Sequence, residues 1–446
     1  MNNLEILKKN CLYLVSSISD EILGVNYTEE INCKIENARN GEKNLILNGI
    51  HMYSKYNPSK DVEQFICSQL DNSADSYIIC GFGLGYHALK LHELEPNKKI
   101  IIFEPNLGLL KFILFNYDFQ DLLSNERVRV IFSLSNLVEA LKDGGKLIVS
   151  ISWLNSLEES QLKNSLREYI TNTNNMNNNG GLLQKNFLSN QKLQLSSISN
   201  LVGKFINKKA ILVSAGPSLD ETIQYLGEFK NKYFILCVGT AFLTLVKNGI
   251  NPDAIIITDP KATLNKQIKV GDISIPMFFL STLNPSLPKE VSSKKYILYQ
   301  KGFKLSEQYA IKNNIPLIET GGSVATTGFD LLIQLGFIEV ILFGQDLAYL
   351  GNRSHSLNSS SNTKFNEVIS KRVTLSNSGE TVKTSTSWLI YKKFFEKKIL
   401  EFPHLLVYNT SENGAVIKGA KFIGIIELLN KSKIESLTNF QKILDS

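Results

Sequence analysis

The stretch Ala210 to Pro260 limits what this chain can fold into more than any other. Three short apolar runs, Ala210–Ser214, Tyr233–Val238 and Ala254–Ile257, are separated by helix-like segments. Strands joined by helices run in the same direction, and a strand apolar along its whole length is covered on both faces. The pattern therefore predicts a Rossmann-like α/β domain with a mostly parallel sheet. Each run stops at small or acidic residues, at Gly216-Pro217-Ser218, Gly239-Thr240 and Asp259-Pro260. Polar chemistry then falls at the carboxyl ends of the strands, where open α/β sheets bind ligands.

The first turn carries a helix-start signal. Ser218-Leu219-Asp220-Glu221 fits a capping box, with the Ser side chain and the Glu three residues later satisfying free amides. Gly216 allows a tight strand-to-helix turn, and amides at a helix start are a seat for phosphate. A plain βα turn uses the same residue types, so the motif alone leaves both readings open.

At 446 residues the chain is long enough for two domains. A net charge of +6, with the basic residues dispersed, gives no support for nucleic-acid binding. Cys11, Cys33, Cys67, Cys80 and Cys237 form no CxxC pair and read as reduced thiols. The N-terminal stretch lacks a signal-peptide core, and no run approaches the ~20 apolar residues of a membrane span. The expected location is the cytoplasm, with no membrane partner.

A second α/β unit precedes the first. A strand from Tyr77 leads into Gly81, Gly83 and Gly85, a helix follows, and Glu104 ends the next strand. This is similar to the nucleoside-binding start of a Rossmann-like methyltransferase, in which the acid holds ribose hydroxyls. Whether the turn binds a ligand stays open. Leu157–Ile170 reads as an amphipathic helix, and the Asn-rich stretch Thr171–Gly181 reads as an exposed connection. The expected domains are 1–180, a smaller Rossmann-like N-terminal domain, and 181–424, the catalytic domain. A helical tail, 425–446, follows.

Strand-like runs continue at 276–281, 296–300, 316–319, 340–343 and 405–408. A second small-residue turn, Gly321-Gly322-Ser323, precedes a helix that Gly336 can end. The two turns are expected to form both walls of one anion pocket. After Phe343 comes GQDLAYLGNRSH, ending at His355, then a Ser/Thr/Asn-rich stretch. Residues of about 351–386 are expected to form a mobile lid.

Five segments in order, SAGPSLDE, NGINPDAIIITDP, ETGGSVATTGFDLLIQLGF, VILFGQDLAY with a following His, and VYNTSENGAVIKGAKF, resemble the motility accessory factor (Maf) flagellin glycosyltransferases. The central domain is also similar to 6-hydroxymethyl-dihydropterin pyrophosphokinases and, distantly, to bacterial sialyltransferases. The resemblance implies transfer of a nonulosonic acid (pseudaminic, legionaminic or a related 2-keto sugar acid) from its CMP conjugate to Ser or Thr hydroxyls of flagellin. The CMP-sugar is then a substrate, no further cofactor is required, and cation dependence is open. Positions that hold the nucleotide in the sialyltransferases match Ser214–Ser218 and Gly322–Ser323, or Gly321–Gly322 if the match slips by one. Ala215 stands where those enzymes have Asn, and a tyrosine pair that steadies the leaving phosphate there has only Tyr349 as its counterpart here, offset by one residue.

Such chemistry needs a seat for the leaving phosphate and a base for the hydroxyl proton. The helix starts at Gly216–Ser218 and Gly321–Ser323 are the candidates for the first, and His355 for the second. Asp346 and Asp259 end strands and are expected to orient hydroxyls or, in a pyrophosphokinase, to hold a divalent cation; Asn409 is a further contact candidate. No metal-ligand motif stands out. The alternatives are an ATP-dependent pterin pyrophosphokinase and a non-catalytic flagellin-binding factor.

Overall fold

The computed structural model describes all residues except 1–2, 15, 25–31, 72–73, 159, 262–272, 352, 360–371 and 446. The chain divides into two compact units, Met1–Thr173 and Asn174–Ser446.

The first unit holds a four-stranded parallel sheet. Its order is Val128–Ile131, Lys99–Phe103, Ser76–Cys80, Gly145–Val149. Ser76–Cys80 is buried along its whole length, as a central parallel strand must be. A small antiparallel sheet, Cys33–Asn37, Lys43–Leu47 and Ile50–His51, completes the unit's strands among the described residues.

The second unit is built on a ten-stranded sheet whose pairings are all parallel. The first run of the motif region, Lys209–Val213, lies between Phe234–Val238 and Glu339–Phe343. From it the chain steps outward through Phe234–Val238, Ala254–Ile257, Met277–Leu280, Lys295–Gln300 and Leu317–Ile318. It then crosses back to lay Glu339–Phe343, Leu406–Asn409 and Lys421–Phe422 on the other side. The order reverses at Lys209–Val213, and that reversal opens a crevice outside the strand ends. The helix Val324–Leu335 packs over the central strands, and Gly328 lets it approach Leu212 and Ile256.

One expectation is corrected and two gain detail. Thr171–Gly181 is not a loop: one helix runs Gln161–Gln191 through it. Asn costs a helix only about 0.7 kcal/mol per residue, and a helix already nucleated extends cheaply. The C-terminal tail is helical, at Ile425–Ser432 and Phe440–Asp445, and is docked: Leu428, Phe440 and Leu444 join the core of the second unit, and Tyr296 donates to the Leu444 carbonyl at 2.6 Å. Within 351–386, Arg372–Leu375 and Thr381–Thr384 form an antiparallel ribbon, while 352 and 360–371 lie outside the described residues. Among the described residues no helix is long and apolar enough to cross a membrane.

Candidate functional site

A cavity of about 340 Å³ lies at the strand reversal. Its floor comes from residues just beyond three strand ends: Ser214 and Gly216, Val238 and Thr240, and Gly344 to Leu347. Ser323, Val324 and Ala325 contribute a helix start, Ser354 and His355 the segment after GQDLAY, and Trp388 and Tyr391 an aromatic wall.

The GQD turn is locked into the GPS turn. Gly216 donates its amide to the Gly344 carbonyl at 2.8 Å, and the Ser218 amide donates to Asp346 Oδ2 at 3.1 Å. Ser214 Oγ donates to Gln345 at 2.6 Å, and the Ser411 hydroxyl donates to Asp346 Oδ1. Any side chain at Gly216 collides with Asp346 and the Gly344 carbonyl. Leu347 is held at φ +51°, a sparsely populated conformation for a side-chain-bearing residue and one found where surroundings over-determine the backbone.

This lock overturns the first-turn anion seat. Both amides of Gly216–Ser218 are taken, Pro217 has none, and the helix that follows is four residues, Leu219–Thr222, continuing as a 3₁₀ segment. The capping box is also absent. Ser218 already has helical angles, φ −65° and ψ −14°, so its side chain does not reach the N3 amide. Asp346 changes role in the same way. It is 2% exposed, and burial raises its pKa against the pull of hydrogen bonds from Ser411 and Ser218. Its oxygens brace the turn, so it positions the site instead of orienting a substrate hydroxyl or holding a cation.

The second turn keeps the helix start that the sequence predicts. Ser323 caps Val324–Leu335, its hydroxyl accepting the Thr326 amide at 3.2 Å; Thr326 Oγ1 accepts the amides of Ser323 and Gly321, both at 3.1 Å. Among the described residues no hydrogen bond takes the amides of Val324 or Ala325, which line the cavity. The helix Gly239–Lys247 likewise begins beside the cavity with no side-chain cap. Two N-termini with positive partial charge therefore face one space.

His355 is half-buried, and burial lowers its pKa, which favours the neutral imidazole; Nδ1 and Ser354 Oγ are 3.0 Å apart. Its segment is stitched down. The Ser356 amide donates to the Ala215 carbonyl at 2.8 Å, and Arg353 pairs with Asp220 at 2.6 Å.

The remaining candidates do not line the cavity. Asp259 accepts the Lys261 amide at 2.8 Å and serves its own loop. Asn409, 1% exposed, donates to the Gln345 carbonyl at 3.3 Å and accepts the Ser411 amide at 3.1 Å, so it supports the GQD turn from below. Tyr349 packs on Trp388 with ring centroids 4.5 Å apart. Gly321 and Gly322 lie against Phe394 and Tyr391 behind the wall, and Gly239 precedes Thr240.

Sequence reasoning missed Trp388, Tyr391 and Gln345. A signal existed for the first two: Ser385 caps Thr386–Glu401, and aromatic residues at its positions 3 and 6 share a face. That helix is anchored by Lys398, 4% exposed, which reaches Asp330 at 2.8 Å and Glu319 at 3.1 Å. Burial alone would raise the Glu319 carboxyl, but hydrogen bonds from Lys301, Lys398 and Lys397 outweigh it and hold the pKa at about 2. Among the described residues no three His, Cys, Asp or Glu side chains gather at one point.

In the first unit the Gly81–Gly85 turn is filled from within. Trp153, Tyr53 and Phe119 occupy the space where side chains at Gly81, Gly83 and Gly85 would stand. Glu104, 1% exposed, accepts the amides of Phe82 and Asn106, each at 3.0 Å, so its oxygens serve the turn.

Two families match the chain, one in each unit. Residues 51–132 match the glycosyltransferase Maf N-terminal domain, and residues 185–352 match the 6-hydroxymethylpterin diphosphokinase MptE-like family. The first unit carries a Maf glycosyltransferase N-terminal domain. The cavity lies in the unit that holds the MptE-like match, with His355 just beyond the matched residues. Two proteins of Treponema pallidum (strain Nichols), each described as an uncharacterized protein, are similar. One is 21% identical over 44% of this chain and 73% of its own length, the other 25% over 69% and 58%. The structure of the MAf glycosyltransferase from Magnetospirillum magneticum AMB-1 aligns over 99% of this chain and 78% of its own, with a TM-score of 0.49 and 17% identity.

Proposed function

We propose that this chain transfers a nonulosonic acid from its CMP conjugate to Ser or Thr hydroxyls of flagellin. The observation that carries the reading is the meeting of the free amides of Val324 and Ala325 with the half-buried His355 on one cavity. The donor phosphate sits at the start of Val324–Leu335, where amides and helix dipole favour negative charge. Its bond to the sugar breaks with the electron pair leaving on CMP. The acceptor oxygen bonds to the sugar carbon as its proton passes to the neutral imidazole of His355. Trp388 and Tyr391 offer the flat apolar surface that a nucleoside or sugar ring stacks on. The CMP-sugar is consumed as a substrate, and the protein acts in the compartment where flagellin subunits are made.

Incubating the protein with flagellin and a panel of CMP-sugars, read by intact mass, tests this. A mass increase equal to one sugar acid per site, with CMP released in step, is expected; CMP-sugar left intact in the presence of flagellin counts against it. The MptE-like match supports a second reading, an ATP-dependent pterin diphosphokinase. AMP formed from ATP and a hydroxymethylpterin is its signature. Flagellin capture with no nucleotide consumed is the mark of a binding factor.

A further inference from the structure

Arg353, Ser354, His355, Ser356 and Leu357 are fastened at both ends by one carboxylate. Asp220 Oδ2 accepts from Arg353 Nη1 at 2.6 Å, and the Leu357 amide lies 3.2 and 3.1 Å from the two oxygens of the same carboxylate. Between these contacts the Ser356 amide reaches the Ala215 carbonyl at 2.8 Å. His355 itself meets only Ser354 Oγ among the hydrogen bonds of the described residues, so its ring is aimed by its backbone.

We propose that Asp220 is the positioning residue of this segment, holding the His355 imidazole over the cavity without touching it. The inference rests on the reading of the cavity as a transfer site and of His355 as its base. Asp220 is a carboxylate gripping a guanidinium and an amide, the charge-assisted class of contact that fixes geometry best. It lies in a helix of only four residues, Leu219–Thr222, whose first turn is itself pinned where Asp346 accepts the Ser218 amide. The bracing thus runs from Asp346 through Ser218 to Asp220 and on to the His355 backbone, linking the floor of the cavity to its mouth. The charged or titratable groups about the imidazole are Asp346 and Tyr391 on the cavity lining and Arg353 and Asp220 on its own strap. Without the clamp the ring is freer to meet water, and a base displaced by about 1 Å loses on the order of 100-fold in rate.

The test uses Asp220→Asn in the full chain, with Arg353→Gln as a second variant that removes one arm and leaves the Leu357 contact. Amide hydrogen exchange over 354–357 and the His355 titration, followed by NMR of histidine-labelled protein, need no substrate. Faster exchange and a titration moved up toward 6.5, together with kcat lowered 10- to 100-fold at unchanged donor KM and an acid limb shifted to higher pH, are expected. Exchange and titration like wild type in both variants overturn the clamp. Altered exchange with kcat and the acid limb unmoved overturns the positioning role. If His355→Ala leaves transfer intact, the transfer reading of the site fails, while exchange and titration still decide the clamp.

Discussion

The Asp346 carboxylate accepts the Ser218 amide at 3.1 Å, tying together two strand-end turns 128 residues apart. The group is buried and its other oxygen is taken by Ser411. Asp346→Ala leaves two buried donors without acceptors, at about 1–3 kcal/mol each. Asp346→Asn keeps one acceptor and loses less. Urea unfolding followed by tryptophan fluorescence measures both; an alanine variant with the wild-type midpoint removes the bracing role.

His355→Ala is expected to lower the transfer rate about 10²- to 10⁴-fold with CMP binding unchanged, because a base acts on the hydroxyl and not on the donor. The pH profile has a definite sign. Burial lowers the pKa, so the imidazole stays neutral and active down through the ordinary histidine value of 6.5. The acid limb should therefore lie below 6.5 in rates measured across pH 5 to 8.

The anion seat can be tested one amide at a time. Val324 is the first residue of its helix, where proline is well tolerated, and Ser323 already holds the extended angles, φ −132° and ψ 160°, that precede a proline. Val324→Pro should keep the thermal transition near wild type and weaken CMP binding about 10- to 100-fold, the worth of one charge-assisted hydrogen bond. Calorimetric titration decides it, and unaltered affinity moves the phosphate elsewhere.

Glu104 makes the first unit's stability depend on pH. Burial raises its pKa to about 7, outweighing the opposing hydrogen bonds from Asn106 and Phe82. The folded state holds its proton more tightly than the unfolded chain, so stability falls as pH rises from 4.5 to 7, by about 3 kcal/mol. Glu104→Gln should flatten that slope. The chain has two tryptophans, so in a Trp388→Phe background the fluorescence of Trp153 beside Gly81 reports unfolding of this unit at pH 5 and 8. An equal slope in the two proteins sinks the assignment.

Much of the fold was written locally. Apolar runs such as Ala254–Ile257 became parallel strands because a residue pattern without alternation suits only a strand covered on both faces. The Ser323 cap and the Gly336 stop lay where short-range signals put them, since capping involves residues three or four apart. The same local logic misread Ser218, whose capping box depends on an angle that Asp346 helps to set from across the sheet. It misread Thr171–Gly181 as well, where helix on both sides outweighed weak propensity. What tertiary structure alone decided was which polar groups remain free. Ser218 and Val324 both stand at helix starts, yet one amide is held by a carboxylate brought in by strand order, while the other opens into the cavity. Asp220 meets Arg353 across 133 residues for the same reason: the chain must lay Glu339–Phe343 back beside Lys209–Val213 before those side chains can meet.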